Sequence, residues 1–502
     1  MPLTKDQPER ALEALRRFYD ASLDQVLAER VTSGAGERAL ALFHDVATSV
    51  PAYRAFLAER GVVPAAVRTL DEFSRVPATS KKEYHSPNEL RALCRHGELA
   101  SSDFVAVSSG STGEPAVWPR FVSDELGTAF RFEQVLSDSF RADGYRTLGV
   151  VCFALGSWVG GMYTIAACRH LAAKGYPLTL VTPGNQRAEI LRVVRALAPS
   201  FERTVLFGYP PFLKDVIDAG LADGLDWSRY GVRLVTAGEV FSEAWRSLVC
   251  ERAGATDPAR HSASLYGTAD GGVLANETPL TIAIRRYLAA HPETARTLFG
   301  EARLPTLCQY DPCHRYFETE GGELLFTGDG GAPLVRYRIL DRGGIVAHDA
   351  MLAFLRDHGF DPRQELAAER EQRALPFVFV FGRGSFALSF YGANVYPENV
   401  SPALERSDLA AHVTGKFVLE IATDADENTE LALAVELGVN ADASPALEAD
   451  IARAVRAELE RANGEFLAYV PPERRTPRVR LFPFGDAEYF PLGVKHRYTR
   501  AV

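Results

Sequence analysis

A chain of 502 residues that is 47% hydrophobic, 10% aromatic and 24% charged is neither disordered nor fibrous, and it is long enough for two or more hydrophobic cores. Its 55 Lys and Arg face 65 Asp and Glu, a formal charge of −10 with no basic block, which argues against nucleic acid as a partner. Seven of the basic residues are lysines, so arginine carries nearly all the positive charge.

Residues 1–29 are polar and helix-patterned, with apolar positions at Ala11, Leu12, Leu15 and Phe18 and no apolar run ahead of a small-residue cleavage site. Six scattered cysteines (94, 152, 168, 250, 308 and 313) in such a chain read as reduced thiols, and a cytoplasmic location is expected. Thr147 to Cys168 is 22 residues without a charge, the length of a membrane span. Its glycines at 149, 156, 160 and 161, with Ser157 and Thr164, split it instead into a strand and a helix beginning near Trp158, so no membrane is expected.

From about 145 to 268, strands are expected at 148–154, 178–182, 204–208, 232–236 and 264–266, and helices at 159–173, 187–197, 211–219 and 242–253. This alternation reads as right-handed βαβ units in an α/β domain with a mostly parallel sheet, whose ligands sit beyond the carboxyl ends of the strands. The segments there are Thr182-Pro183-Gly184, Tyr209-Pro210-Pro211, Ala237-Gly238-Glu239 and Gly267-Thr268-Ala269-Asp270. Phe153, Trp158 and Tyr209 fall near the same rim, either as the wall of a substrate pocket or as core packing. The charged stretch Arg356 to Arg373 reads as a solvated helix and loop. After Phe381, strands at 417–422 and 431–437, a helix from Pro445 to about Ala462 and a strand at 479–482 suffice for a small α+β domain, giving domains 1–381 and 382–502.

The strongest local signal is Ser108-Ser109-Gly110-Ser111-Thr112-Gly113-Glu114-Pro115, directly after the apolar run Phe104 to Val107. Two glycines free the backbone to curl, while hydroxyls and exposed N–H groups can wrap phosphate oxygens. It is not a Walker loop, because no Gly-Lys-Ser/Thr follows, and taken alone such a loop is more often a connection. A weaker constellation, Cys308, Cys313 and His314, offers thiolates and an imidazole for Zn2+ without a fourth ligand, against the alternative of buried thiols.

Ser108 to Pro115 resembles the phosphate-binding signature of the adenylate-forming superfamily. Other segments resemble its phenylacetate-CoA ligase branch: Val50-Pro51-Ala52-Tyr53-Arg54, Val76-Pro77-Ala78-Thr79-Ser80-Lys81, Leu265-Tyr266-Gly267-Thr268-Ala269-Asp270, Pro333-Leu334-Val335-Arg336-Tyr337-Arg338-Ile339-Leu340-Asp341, and Gly382-Arg383 with Gly392-Ala393-Asn394-Val395-Tyr396-Pro397-Glu398. These motifs run in the family's order over roughly residues 50 to 500.

The resemblance implies ATP-dependent activation of a small carboxylic acid to an acyl-adenylate, with acyl transfer to CoA or a carrier-protein thiol. A carboxylate is already ionised at pH 7, so the absence of a Ser/His/Asp nucleophile pattern agrees with it. By resemblance, Ser108, Ser109, Gly110, Ser111, Thr112 and Gly113 hold phosphates; Ala237, Gly238, Glu239, Tyr266 and Gly267 line adenine; and Asp270 stands where the family has a Mg2+-linked Glu, one methylene shorter. Asp341 and Arg383 meet the ribose, with Asp329 of Thr327-Gly328-Asp329 as the competing carboxylate. The catalytic lysine is Lys495, in Pro491-Leu492-Gly493-Val494-Lys495-His496-Arg497, on a small domain that swings over the large one. The branch continues Gly-Arg with an acidic pair, whereas this chain has Gly384-Ser385-Phe386. An amine acceptor, or a nucleotide-binding fold without turnover, therefore stays open beside the thiol.

Overall fold

The computed structural model describes residues 6–32, 34–99, 102–108, 116–301, 304–366, 368–383, 388–410, 412–438, 441–491 and 498–500. Two compact units divide the chain: Met1–Val107, Val117–Gly208 and Val216–Gly382 make the larger, and Ser108–Ala116, Tyr209–Asp215 and Arg383–Val502 the smaller. The changeover near 382 is therefore accompanied by two short earlier segments that sort with the C-terminal part.

In chain order the strands of the larger unit's sheet and its neighbours are β1 (Thr79–Ser80), β2 (Phe104–Ser108), β3 (Ala116–Arg120), β4 (Thr147–Val151), β5 (Leu178–Val181), β6 (Arg203–Gly208), β7 (Val232–Ala237), β8 (Ser262–Thr268), β9 (Gly272–Asn276), β10 (Thr306–Gln309), β11 (Tyr316–Glu320), β12 (Glu323–Gly328), β13 (Leu334–Val346) and β14 (Phe377–Arg383). Among the described residues, twelve of them form one sheet in the order β11-β12-β13-β14-β10-β9-β8-β7-β6-β4-β5, with β1 beside β13, while β2 and β3 pair separately. Pairing is parallel from β5 through β4, β6 and β7 to β8. It turns antiparallel at β8–β9 and stays so through β9–β10 and β10–β14, and again through β11–β12 and β12–β13. The parallel-rich α/β expectation holds for the half of the sheet that sequence alternation reached; the antiparallel extension beyond β8 was not foreseen.

Local sequence explains the parallel half. Val150, Val205, Leu206, Phe207 and Val235 are wholly buried, as strands covered on both faces require. The uncharged stretch at 147–168 resolves into β4 and the helix Val159–Lys174, which stops at Gly175 in a left-handed conformation (φ +109°). No helix among the described residues is long and apolar enough to cross a membrane. The helix Arg187–Leu197 buries Ile190, Leu191, Val193 and Val194 on one face. Upstream, the helices Ala35–Ser49 and Pro51–Glu59 close a core of Phe43, Tyr53, Phe56, Phe73 and Tyr84.

The reading of Arg356 to Arg373 as solvated needs correction at its end. Glu371 is buried and receives Arg260 through both oxygens (2.8 and 2.9 Å), and Arg373 grips Asp138 the same way (2.9 and 2.8 Å). Forked arginine pairs let these charges be buried, which a charge pattern alone does not reveal.

In the smaller unit, β15 (Leu388–Phe390) pairs with β16 (Ala393–Val395), and β17 (Val413–Thr423), β18 (Thr429–Leu437) and β19 (Arg478–Phe482) form a second sheet. The helix Pro445–Ala462 is capped by Ser444, whose hydroxyl accepts from Leu447 N at 3.2 Å, and buries Ile451, Val455 and Leu459.

Candidate active site

The parallel strands deliver the segments after β7 and β8 to one rim, and β13 brings its own side chains against the second of them. β13 is not a regular strand: Arg336 (φ +44°) and Leu340 (φ +70°) are left-handed, and its register with β12 shifts twice. Such irregularities re-aim the following side chain. After Arg336 comes Tyr337, whose hydroxyl donates to Asp270 Oδ2 at 2.6 Å; after Leu340 comes Asp341, whose Oδ2 accepts from the Tyr266 hydroxyl at 2.7 Å. The β8 segment and β13 thus each contribute one Tyr and one Asp, joined crosswise. Both carboxylates are largely buried, at 7% exposure for Asp270 and 6% for Asp341. Charge-assisted bonds of this kind offset part of the cost of burying them, about 1.5–3 kcal/mol each.

Arg120, at the end of β3, donates through Nη2 to the carbonyl oxygens of Ala269 and Asp270, holding the turn from below. Gly271 N donates to Thr268 Oγ1 at 3.0 Å and tightens the same turn. His85 stacks on Trp118 with centroids 3.8 Å apart, and its Nε2 lies 3.1 Å from Val117 O. A carbonyl can only accept, so Nε2 carries the hydrogen. Burial pushes His85 down to about 4 against the pull of the Asp270 charge, so the imidazole is neutral at pH 7.

The two aspartates that competed for the ribose role sit in different surroundings. Asp329 is ion-paired with Arg95 at 2.7 Å and accepts from Gly330 N at 2.7 Å, and Arg95 also holds Asp45. Asp341 is instead bonded to Tyr266. Ala237 ends β7, Gly238 (φ +90°) and Glu239 follow it, and Gly267 lies exposed on β8.

Ser108 ends β2 and is buried, whereas Ser109, Gly110, Ser111, Thr112, Gly113, Glu114, Ser385, Phe386 and Lys495 lie outside the described residues, as does the side chain of Arg383. The three rim aromatics have different surroundings. Phe153 is 1% exposed, and Tyr209 is buried with its ring 5.1 Å from Tyr469 inside the smaller unit. Trp158 keeps partial exposure beside its backbone bridge to Val107. Their size and apolarity suit packing as well as a pocket.

The zinc candidates diverge. Cys308 is buried within β10, Cys313 Sγ donates to Arg30 O at 3.7 Å, and the His314 ring stands where a Cβ on Gly127 would be. Among the described residues no group of three or more His, Cys, Asp or Glu side chains could hold a metal. A magnesium ion needs less from the protein, because it keeps waters and uses one or two carboxylates with substrate phosphates. Asp270 fits that role: Tyr337 engages one of its oxygens, and no described residue donates to the other.

Sequence reasoning singled out Tyr266, Asp270 and Asp341 but missed Tyr337, Arg120 and His85 as their partners. Tyr337 lay inside a quoted motif; the other two are about 150 and 185 residues distant from Asp270 in the chain.

The sequence matches no protein-family model. It is 26% identical over 394 residues to a phenylacetate-coenzyme A ligase of Thermus thermophilus, covering 77% of this chain and 78% of that one. It is 22% identical over 418 residues to a phenylacetate-coenzyme A ligase of Aromatoleum evansii, covering 82% of each. The crystal structure of 2-hydroxyisobutyryl-CoA ligase with 2-HIB-AMP and CoA superposes with a TM-score of 0.64 at 15% identity, over 100% of this chain and 94% of that one, a likeness of fold.

Proposed function

As a phenylacetate-CoA-ligase-like member of the adenylate-forming superfamily, this chain, we propose, is an AMP-forming acid–thiol ligase. The carboxylate of a small or medium acid attacks the α-phosphorus of ATP, the bond to pyrophosphate breaks, and an acyl–AMP anhydride forms. The thiol of CoA then attacks the acyl carbon, AMP leaves, and the thiol proton passes to solvent. No general base is required in the first step, because the acid is already ionised at pH 7. Orientation and charge neutralisation are the protein's tasks.

The observation that carries this reading is the crossed pair of Tyr–Asp bonds at the rim of the sheet. In our assignment Asp341 accepts from the ribose hydroxyls with Arg383 nearby. Tyr266 and Gly267 with Ala237, Gly238 and Glu239 flank adenine, and Ser108 to Gly113 cradle the phosphates. Asp270, held by Tyr337 and Arg120, would take Mg2+, which when bound offsets phosphate charge. Lys495 supplies an ammonium to the developing charge. Trp158 remains a pocket residue for an aromatic or apolar acid. Six scattered cysteines, five of them buried, suit a reducing, cytoplasmic setting.

ATP–pyrophosphate exchange across a panel of carboxylic acids, beginning with phenylacetate, tests this directly. Exchange with at least one acid is expected, followed by CoA-dependent release of AMP. Exchange without CoA dependence would move the acceptor to a carrier thiol or an amine, for which the Gly384-Ser385-Phe386 departure leaves room. No exchange with any acid overturns the reading. Lys495→Ala should abolish exchange while leaving AMP affinity nearly intact, and wild-type exchange rates in that variant would remove Lys495 from its role.

A further inference from the structure

The ladder between β7 and β8 ends at the pair Ala237 and Leu265. Gly238, Glu239 and Tyr266, the residues assigned to the two sides of the adenine site, therefore lie beyond the last β7–β8 pair, and that ladder does not fix the distance between them. A buried network behind them links the two segments.

Phe241, three residues after Gly238, offers its carbonyl to Arg285 Nη2, and its ring lies beneath two guanidiniums, 4.9 Å from Arg246 and 5.7 Å from Arg285. Arg285, on the helix Pro279–Ala290, also bonds Glu243 and, through Nε, Pro305 O at 2.9 Å. Glu243 opens the next helix after Phe241 and takes Arg246 Nε at 3.0 Å. Arg246 then reaches the other wall: Nη1 donates to Ser262 Oγ at 2.9 Å and Nη2 to Glu277 Oε1 at 2.6 Å. The second oxygen of Glu277 accepts from Ser264 N at 2.8 Å, two residues before Tyr266 on β8. Two arginines and two glutamates, each side chain at most 9% exposed, thus link the backbone of one wall to the backbone of the other.

We propose that Arg246, Glu243, Glu277 and Arg285 form a clamp of positioning residues that sets the width of the adenine slot and thereby selects the base. The proposal rests on the assignment of that slot to ATP. Burying four charges adds little to stability over a well-packed apolar cluster, so their use here calls for a geometric reason. The guanidinium fork supplies one, because its donors have fixed directions and hold two partners at a set separation.

Three variants graded by disruption test it: Ser262→Ala, which removes one hydroxyl and no charge; Arg285→Lys at the edge of the network; and Arg246→Lys at its centre. AMP affinity is measured by calorimetry, and steady-state constants by pyrophosphate exchange. Arg246→Lys should weaken AMP and raise the KM for ATP about tenfold, with kcat and the KM for the acid within about threefold. Preference for ATP over GTP should fall, with Arg285→Lys intermediate and Ser262→Ala showing about a threefold effect. If Arg246→Lys does not fold, the two milder variants carry the test by the same graded order. Unchanged AMP affinity in the folded variants, or parallel losses toward ATP and acid, overturns the clamp. A wild-type protein that binds AMP but exchanges pyrophosphate with no acid removes the proposed activity and leaves the clamp testable through AMP affinity alone.

Discussion

The two halves of the large sheet are built to different rules. From β4 to β8 the strands are parallel and mostly apolar and buried, as in Val205-Leu206-Phe207 of β6. In the antiparallel half β13 carries Arg336, Arg338, Asp341 and Arg342 within thirteen residues and twice adopts a left-handed backbone. The parallel half gives a rigid frame whose strand ends converge but whose side chains are consumed by packing. The antiparallel half has polar side chains to aim, and its irregularities aim them. The Tyr–Asp pairs lie where the halves contribute together, with Tyr266 and Asp270 from the last parallel strand and its turn, and Tyr337 and Asp341 from β13.

If that division is right, damage to one half should cost stability and damage to the other should cost nucleotide binding. The largest effect is expected from Phe207→Ala in β6, a wholly buried ring whose loss leaves a cavity worth about 3–5 kcal/mol. Chemical denaturation should show a lower midpoint at unchanged slope, and a cost below about 1 kcal/mol would mean that the parallel frame repacks freely. Asp341→Ala should weaken AMP about 100-fold, equivalent to about 2.7 kcal/mol, with a small change in melting temperature. The control is Asp329→Ala, which breaks a half-exposed pair with Arg95 and should leave AMP affinity within about threefold. Equal damage from both would transfer the ribose role to Asp329.

A pH effect separates the frame from the site in another way. His261, beside β7, accepts from Asp257 N through Nδ1 at 3.3 Å, and burial, with Arg233 and Arg203 nearby, pushes its pKa down to about 4. In the unfolded chain it titrates near 6.5. Between these values the unfolded chain binds a proton that the folded one refuses, so this contribution is complete above about pH 6.5 and is lost as pH falls toward 4. Solvent screening reduces it to about 1–2 kcal/mol. Denaturation midpoints measured across that window should fall in the wild type and flatten in His261→Asn, with activity at pH 7.5 unchanged. Smaller again, Tyr337→Phe removes one bond to Asp270 and should lower kcat/KM for ATP about tenfold without moving the acid KM. No loss would leave the Asp270 turn to Arg120 and the Gly271–Thr268 bond.

How far the sequence could be read follows the same divide. The helix Arg187–Leu197 and the start of Pro445–Ala462 fall at the residues expected, because a 3.6-residue apolar period and a Ser-Pro start leave little latitude. Strands β4 to β8 fall within a few residues of the strand-like apolar runs that alternate with helical stretches. The antiparallel strands escaped because they break both templates: Tyr316-Phe317-Glu318-Thr319-Glu320 carries two charges in five residues, and the left-handed residues at 336 and 340 interrupt alternation in β13. In the candidate site, motif order singled out Tyr266, Asp270 and Asp341, which the structure brings onto the same Tyr–Asp pairs. The bond between Tyr266 and Asp341 spans 75 positions and that from Arg120 to Asp270 spans 150, separations at which no local pattern carries information.

Leu340 offers the finest test of whether the antiparallel half is shaped for the site. A left-handed backbone costs an L-residue about 1–2 kcal/mol, and Leu340 as a residue is 52% exposed, so packing returns little of that. Glycine adopts φ +70° without strain but adds about 0.5–1 kcal/mol of unfolded-chain entropy. Leu340→Gly should therefore stabilise the protein slightly, by about 0.5–1 kcal/mol, seen as a small rise in melting temperature. Because Leu340 sits immediately before Asp341, AMP affinity is measured alongside. A stabilised variant with unchanged affinity would make the strained leucine incidental to nucleotide binding. A stabilised variant that binds AMP several-fold more weakly would mean that a stiff residue at this bend holds the Asp341 carboxylate in place, and that stability is given up there for aim.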